Sequence, residues 1–173
     1  RASVRWRATP RRCRLRRRPA VAGGQAGPGR TCEAFAAAQR GGSGEPLLDK
    51  DFFKLVKYIN HLGMQTLLVT NGTLIDKKTA EWLYQNKVCV LFKLNSFNPK
   101  TSDLLVGKKN AYKWVEYKDK KIPYGLKCLI EAGFNKLSKN LFYCAPFQVQ
   151  CIISQYNYKD IPEISKFCRD NNI

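Results

Sequence analysis

The chain has 173 residues and a formal net charge of +18, from 31 lysines and arginines against 13 acidic residues. This length predicts a single domain, and it is short for a complete eight-unit α/β barrel, which takes about 250 residues. The sequence contains no run of about 18 apolar residues, so we expect neither a membrane-spanning helix nor a membrane partner.

The first 40 residues differ in composition from the rest of the chain. They hold eleven arginines, no lysine and one acid, whereas residues 41–173 hold nineteen lysines and one arginine. Arginine clusters mixed with alanine, glycine and proline bury little apolar surface, so we predict a disordered basic tail over residues 1–40. The abrupt change indicates that this tail is not native to the domain predicted for residues 41–173.

The seven cysteines are scattered, and no two have the two-residue spacing of a zinc or redox motif. Their odd number and irregular spacing are not typical of a secreted disulfide scaffold, and they predict a reducing, cytoplasmic location. They are Cys13, Cys32, Cys89, Cys128, Cys144, Cys151 and Cys168.

A glycine-lined turn at residues 42–48 precedes the first predicted helix. Asp49 can cap this helix by accepting a hydrogen bond from a first-turn N–H, and Gly63 lies where a left-handed residue would end it. Between them, apolar residues recur at helical spacing and predict one buried face. These residues are Phe52, Val56 and Ile59.

Two predicted strands follow, with a helix between them. The first covers residues 65–70, the helix is capped by Asp76 and extends to about Asn86, and the second strand covers residues 88–94. Both strands are nearly continuous apolar runs, which is typical of a parallel sheet covered on both faces. The alternation of strand, polar turn and helix predicts βαβ units and an α/β fold.

The remaining elements are less regular. We predict a short helix over residues 101–106, helical structure over 111–132 interrupted at Pro123, and a strand over 149–153. Pro162 opens a last helix that covers Glu163 to about Asp170. This pattern leads us to expect a further strand after the last helix. We therefore expect the sequence to be truncated at both ends relative to a complete domain.

Three polar motifs at these predicted strand ends resemble motifs of radical S-adenosylmethionine (SAM) enzymes. Ser43-Gly44-Glu45-Pro46 is similar to the family's Gly-Gly-Glu-Pro motif, with serine in place of the first glycine. Thr70-Asn71-Gly72 and Lys93-Leu94-Asn95-Ser96 are similar to polar motifs that end the next two strands of the family. The resemblance covers roughly residues 41–173. It implies an incomplete, partial (β/α) barrel of radical SAM type.

The resemblance also implies where SAM would bind. The turn of Ser43, Gly44, Glu45 and Pro46 would offer carbonyl oxygens to the ammonium group of SAM, with the Glu45 carboxylate nearby. Asn71 would lie at the same edge, because the carboxyl ends of parallel strands share one crevice. Asn95 and Ser96 would bond the ribose hydroxyls. Lys108 would pair with the SAM carboxylate, and Ile152 would cover the adenine.

The chemistry of this family requires a [4Fe–4S] cluster held by three thiolates, usually in Cys-x3-Cys-x2-Cys before the Gly-Gly-Glu-Pro motif. Only Cys13 and Cys32 precede Ser43, and they do not have this spacing. The resemblance therefore implies SAM, a cluster, an electron donor and an unknown substrate for the intact protein. For this chain we predict no cluster ligands and no stable cluster after reconstitution with iron and sulfide.

Two alternatives remain open. The high positive charge also suits a basic nucleic-acid-binding protein that contacts phosphates. Nucleic acid is the less favoured partner, because much of the charge lies in residues 1–40 and no aromatic platform is interleaved with it. The second alternative is a folded remnant without activity, which the missing cluster cysteines would explain. His61, the single histidine, is better explained as a charge near a helix C-terminus than as a ligand.

Overall fold

The computed structural model of the protein describes residues 44–136 and 145–173. The tail predicted for residues 1–40 lies outside the described residues, as do Ser43 and Cys144. The helices are α1 (Phe52–His61), α2 (Lys77–Gln85), α3 (Pro99–Val106), α4 (Tyr124–Glu131) and α5 (Ile161–Asp170). The strands are β1 (Leu67–Thr70), β2 (Cys89–Lys93), β3 (Trp114–Tyr117), β4 (Lys120–Pro123) and β5 (Phe147–Gln150).

Three strands form a parallel sheet in the order β1-β2-β5. Leu68 pairs with Val90, and Val90 pairs with Phe147, so these side chains form one row across the sheet. The predicted α/β fold with parallel βαβ units is confirmed. The sheet β1-β2-β5 is open, and the described strands do not close a barrel.

The two faces of the sheet are buried to different degrees. Leu68, Val90 and Phe92 are on one face and are at most 2% exposed, and they belong to the hydrophobic core with side chains from α1, α2, α4 and α5. On the opposite face Val69 and Leu91 are half-buried. The nearly continuous apolar runs predicted two covered faces, but in the described part of the chain the helices bury only one of them fully.

Local signals predicted most helix ends correctly. Gly63 follows α1 with φ +70°, and Asp76 caps α2 by accepting from the N–H of Thr79 at 2.7 Å. Asp49 lies before α1 rather than at its cap position, and its Oδ1 accepts from the N–H of Asp51 at 3.0 Å. The cap of α3 is Asn98, whose Oδ1 accepts from the N–H of Lys100 at 2.9 Å.

The helix predicted for residues 111–132 is wrong in its first half. Residues 114–123 form a hairpin in which β3 and β4 pair antiparallel, with Lys118 at φ +52° in the turn. Trp114, Val115 and Tyr117 are residues that favour strands, and this preference prevails over the apolar spacing that indicated a helix. Pro123 ends the hairpin, and the helix starts directly after it as α4.

The last strand begins two residues earlier than predicted and ends at Gln150 rather than at Ile153. Residues beyond Gln150 leave the ladder, and Ile152 and Ile153 are 63% and 66% exposed. The final helix is confirmed, with Pro162 in its first turn and Ile164 and Phe167 buried. Within the described ranges, the structure has no helix with the length and apolar character needed to cross a membrane.

Candidate functional site

The turn that carries Glu45 is fixed to the end of β1. Both oxygens of the Glu45 carboxylate accept hydrogen bonds there: Oε1 from the hydroxyl of Thr70 at 2.6 Å, and Oε2 from the N–H of Asn71 at 2.9 Å. The Thr70 hydroxyl also accepts from the N–H of Gly72 at 2.9 Å. One carboxylate therefore holds two of the sequence motifs together at the carboxyl end of the sheet.

The turn after β1 is tightly packed around Gly72. This residue has φ +73°, and a Cβ atom on it would lie 2.0 Å from the ring of Phe92. Its carbonyl oxygen would lie 2.2 Å from a Cβ atom on Gly125 in α4. Asn71 closes the turn from the other side, because its Oδ1 accepts from both the N–H and the hydroxyl of Thr73. The backbone can follow this path at the end of β1 because Gly72 and Gly125 have no Cβ atoms.

The second strand end carries Asn95, which is joined to the segment after β5. Asn95 Oδ1 accepts from the N–H of Ile152 at 3.1 Å, and its carbonyl oxygen accepts from the side chain of Asn157 at 2.7 Å. Asn157 is 0% exposed, and it also donates to the carbonyl of Ile152 and accepts from the N–H and hydroxyl of Ser154. The buried amide of Asn157 thus connects the ends of β2 and β5.

Ser96 is completely buried and its hydroxyl is engaged twice. It donates to Asp160 Oδ2, and it accepts from the N–H of Asn98 at 2.9 Å. Asp160 itself is half-buried. Burial and, after it, the charge of Asp160 raise the pKa of the Cys151 thiol, whereas a hydrogen bond from Asn157 lowers it. The carboxylate of Asp160 therefore lies near the ends of both β2 and β5.

The structure brings together four of the residues predicted to form the site. We call one part of the surface the carboxyl edge: it comprises the residues that directly follow β1, β2 and β5 and the turn bonded to them. The four residues that lie there are Glu45, Asn71, Asn95 and Ser96. Gly44 and Pro46 flank Glu45 in the same turn.

Two other predicted residues are at the surface. Ile152 belongs to the carboxyl edge and is exposed, as given above. Lys108 follows α3, is exposed, and its ammonium group has no bonding partner among the described residues; its backbone N–H donates to the carbonyl of Asp103 at 3.1 Å. No described contact connects Lys108 with Glu45, Asn95 or Ile152.

A cavity of about 290 Å³ adjoins this edge, between the turn after β1 and the start of α4. Its wall includes the rings of Tyr112 and Tyr124, and the Lys113 ammonium lies 4.5 Å from the centroid of the Tyr124 ring. Burial and the charge of Glu45 raise the pKa of Tyr112. Tyr112 is therefore a neutral phenol at pH 7. It lines the cavity, and the charge of Glu45 acts on its hydroxyl.

The cysteines of the described segments do not suit an iron–sulfur cluster. Cys89 and Cys128 are buried in the core, and Cys151 and Cys168 are half-buried on different elements. Among residues 44–136 and 145–173, no group of three cysteine, histidine or acidic side chains is arranged to hold a metal ion. The donor set that such a cluster needs is therefore not provided by these residues.

Three residues of the site were not identified from the sequence: Thr70 as the partner of Glu45, Asn157 as the link between β2 and β5, and Asp160 as the partner of Ser96. Thr70 belongs to the Thr70-Asn71-Gly72 motif, but the residues next to it in the sequence do not indicate a hydrogen-bond partner 25 residues away. Asp160 stands directly before a proline-containing helix start. That signal would have predicted a local cap instead of a distant bond.

The comparisons with known proteins give no family assignment and show a distant similarity to a curated protein. No protein-family model matches the chain. A probable GTP 3′,8-cyclase from Methanothermobacter thermautotrophicus is 23% identical to it over 130 residues, which cover 73% of this chain. The chain spans 36% of the length of that protein.

Proposed function

We propose that residues 41–173 are a core segment of the radical SAM type, which binds SAM at the carboxyl edge. The observation that carries the proposal is the bonding of the Glu45 carboxylate to Thr70 and Asn71. It unites two motifs that resemble those of the family, and the third motif ends the neighbouring strand. The distant similarity to a probable GTP 3′,8-cyclase supports the same assignment.

The groups at the edge suit the chemistry of SAM. Glu45 supplies negative charge near the turn that would receive the ammonium group, although both of its oxygens are also used to hold β1. The Asn95 side-chain nitrogen has no hydrogen-bond partner among the described residues, so it is available to a ribose hydroxyl. Ile152 presents an exposed apolar side chain on which the adenine can lie. The Lys108 ammonium group has no partner among the described residues, and its charge suits the SAM carboxylate.

The parallel sheet β1-β2-β5 is then the middle of an incomplete (β/α) barrel, and the strands that complete it belong to the intact protein. In that protein a [4Fe–4S] cluster would supply the electron that cleaves SAM, with an electron donor and an unidentified substrate as partners. The described residues do not fit such a cluster. Their proposed role is to bind and orient SAM.

The test is SAM binding by the full chain, measured by equilibrium dialysis with labelled SAM. We expect saturable binding that S-adenosylhomocysteine displaces. Asn95→Ala should weaken binding about tenfold, because it removes the amide offered to the ribose. The matched control Gln85→Ala removes an exposed amide from α2 and should bind as the unmodified chain does.

Circular dichroism should establish that each variant is folded before binding is compared. A folded chain without saturable SAM binding would overturn the proposal. Equal weakening by Asn95→Ala and Gln85→Ala would place SAM away from the carboxyl edge.

A further inference from the structure

The cavity between the turn after β1 and the start of α4 lies outside the SAM site proposed above. None of the described residues predicted to bind SAM lines it. Its volume of about 290 Å³ is close to the lower end of the range for pockets that hold small molecules, which is about 300–1,000 Å³. Leu74, Ile75 and Pro123 line it together with Tyr112 and Tyr124, so most of its wall is apolar. The cavity therefore has the size and the surface of a site for a small ligand.

Two neighbouring side chains in the wall, Tyr112 and Lys113, can donate hydrogen bonds to a ligand. Among the described residues, the Tyr112 hydroxyl makes no hydrogen bond and the Lys113 ammonium makes no ion pair. The ammonium lies 4.5 Å from the centroid of the Tyr124 ring, and Tyr124 lines the same cavity. Burial is the first cause of the raised pKa of Tyr112, so at pH 7 its phenol keeps the proton that it would donate. One positive charge and one neutral donor therefore adjoin a single volume.

Asp76 is the one acidic residue that the structure describes in this wall, and its carboxylate is used at the start of α2. Its Oδ1 accepts from the N–H of Thr79 at 2.7 Å, and this bond lowers the pKa of the carboxyl group. The positive end of the helix dipole also favours a negative charge there. Within the described residues, Asp76 makes no ion pair with Lys113. An anion that pairs with Lys113 therefore has no acidic side chain to displace from it.

The charge and the apolar wall together favour a carboxylate attached to a ring. A carboxylate carries one negative charge, which matches the single lysine, and its two oxygens can accept from an ammonium and a phenol at once. A phosphate monoester would bring about 1.5–2 negative charges at pH 7, and the excess would be costly beside apolar side chains. Aromatic rings pack well against tyrosine rings, stacked or edge to face. An aromatic carboxylate therefore satisfies the donors and the apolar wall together.

We propose that this cavity is a binding site for a small aromatic carboxylate, in which Lys113 and Tyr112 hold the carboxylate and Tyr124 packs against the ring. The site does not rest on the proposed function, because no described residue of the SAM site forms its wall. It lies close to that site, since the charge of Glu45 acts on Tyr112. SAM and a small aromatic acid can therefore be bound at the same time.

The test uses the full chain and three probes that differ in one property each. They are 2-naphthoate, its uncharged amide 2-naphthamide, and decahydro-2-naphthoate, which has the charge without the aromatic ring. Calorimetric titration at pH 7 measures the three dissociation constants. We expect 2-naphthoate to bind about tenfold more tightly than the amide and about fivefold more tightly than the saturated acid. This comparison needs no mutation.

Two variants assign the interactions to residues. Lys113→Ala should weaken the binding of 2-naphthoate about tenfold and leave that of 2-naphthamide nearly unchanged. Lys121→Ala removes an exposed lysine of β4 outside the lining and should change neither. Tyr112→Phe keeps the ring, removes the hydroxyl and should weaken the binding of 2-naphthoate about fivefold. Its matched control is Tyr58→Phe, at a tyrosine of α1 that is 60% exposed.

Equal binding of 2-naphthoate and 2-naphthamide would overturn the inference. Equal losses in Lys113→Ala and Lys121→Ala would overturn it too, because they would indicate a general attraction to a positively charged chain.

Equilibrium dialysis with labelled SAM and saturating 2-naphthoate separates this inference from the proposed function. Saturable binding of SAM without binding of 2-naphthoate overturns the inference alone, and the reverse result overturns the proposed function alone. Competition between the two ligands would place them in one site and overturn the separate site inferred here.

Discussion

The hydroxyl of Thr70 lies 2.6 Å from Oε1 of Glu45 and 2.9 Å from the N–H of Gly72. It donates to the Glu45 carboxylate and accepts from the Gly72 N–H. One hydroxyl therefore joins the turn that carries Glu45 to the turn after β1. Thr70 is 1% exposed, so its hydroxyl is shielded from bulk water. Two turns that are 25 residues apart are thereby held in one arrangement.

Glu45→Ala should lower the free energy of unfolding by about 2 kcal/mol, because hydrogen bonds to a charged group contribute about 1.5–3 kcal/mol. The N–H of Asn71 and the hydroxyl of Thr70 both lose their acceptor. Urea denaturation followed by circular dichroism measures the change. Glu81→Ala removes an exposed carboxylate from α2 and should change the stability by less than about 0.5 kcal/mol. Equal effects of the two substitutions would show that Glu45 does not hold the strand end.

Gly72→Ala should destabilise the protein by about 2 kcal/mol more than Gly63→Ala does. Both glycines have a left-handed backbone, with φ +73° and +70°, so alanine strains both to the same degree. They differ in surroundings: a Cβ atom at Gly72 meets the buried ring of Phe92 at 2.0 Å, whereas at Gly63 nothing lies within 4 Å. Thermal unfolding of the two variants side by side measures this difference. If their melting temperatures agree, the turn after β1 has room that the structure does not indicate.

Asn157→Asp should cost about 3 kcal/mol of stability, although it changes the side-chain shape very little. The amide nitrogen donates to the carbonyls of Asn95 and Ile152 at 2.7 and 2.9 Å, and the substitution brings an oxygen against both. Chemical denaturation at pH 7 measures the loss. Gln155→Glu makes the same chemical change at an exposed position of the same segment and should have little effect. Comparable losses for both variants would contradict the role assigned to Asn157.

Asp76→Ala should lower stability by about 1 kcal/mol at pH 7, and the difference from the unmodified chain should shrink below pH 3.8. The hydrogen bond from the Thr79 N–H lowers the pKa of Asp76 below its ordinary value of 3.8. A lowered pKa means that the contribution is complete above the ordinary value and is lost as pH falls through the folded value. Unfolding curves recorded between pH 2 and pH 7 test this. Asp119→Ala, at an exposed site in the hairpin turn, should change the stability at pH 7 by less than about 0.5 kcal/mol.

Features that depend on neighbouring residues were predicted well from the sequence. Gly63 ends α1, Asp76 caps α2, and the apolar runs of β1 and β2 form a parallel pair. Each of these follows from the chemistry of a few consecutive residues. The hairpin of β3 and β4 was missed, because its apolar residues fit a helical spacing as well as a strand. Only the antiparallel pairing of β3 with β4 decides between a helix and a hairpin.

The sequence by itself determined the class of the fold, the order of its elements apart from the hairpin of β3 and β4, and the three motifs that carry the resemblance. It did not determine how the polar side chains of these motifs are used. Glu45 bonds to a strand 25 residues away, and Ser96 bonds to Asp160 over 64 residues. Such partners are chosen by the distances that folding creates, which no local pattern encodes. The tertiary structure alone therefore decided that Ser96 is buried and that its hydroxyl bonds to Asp160.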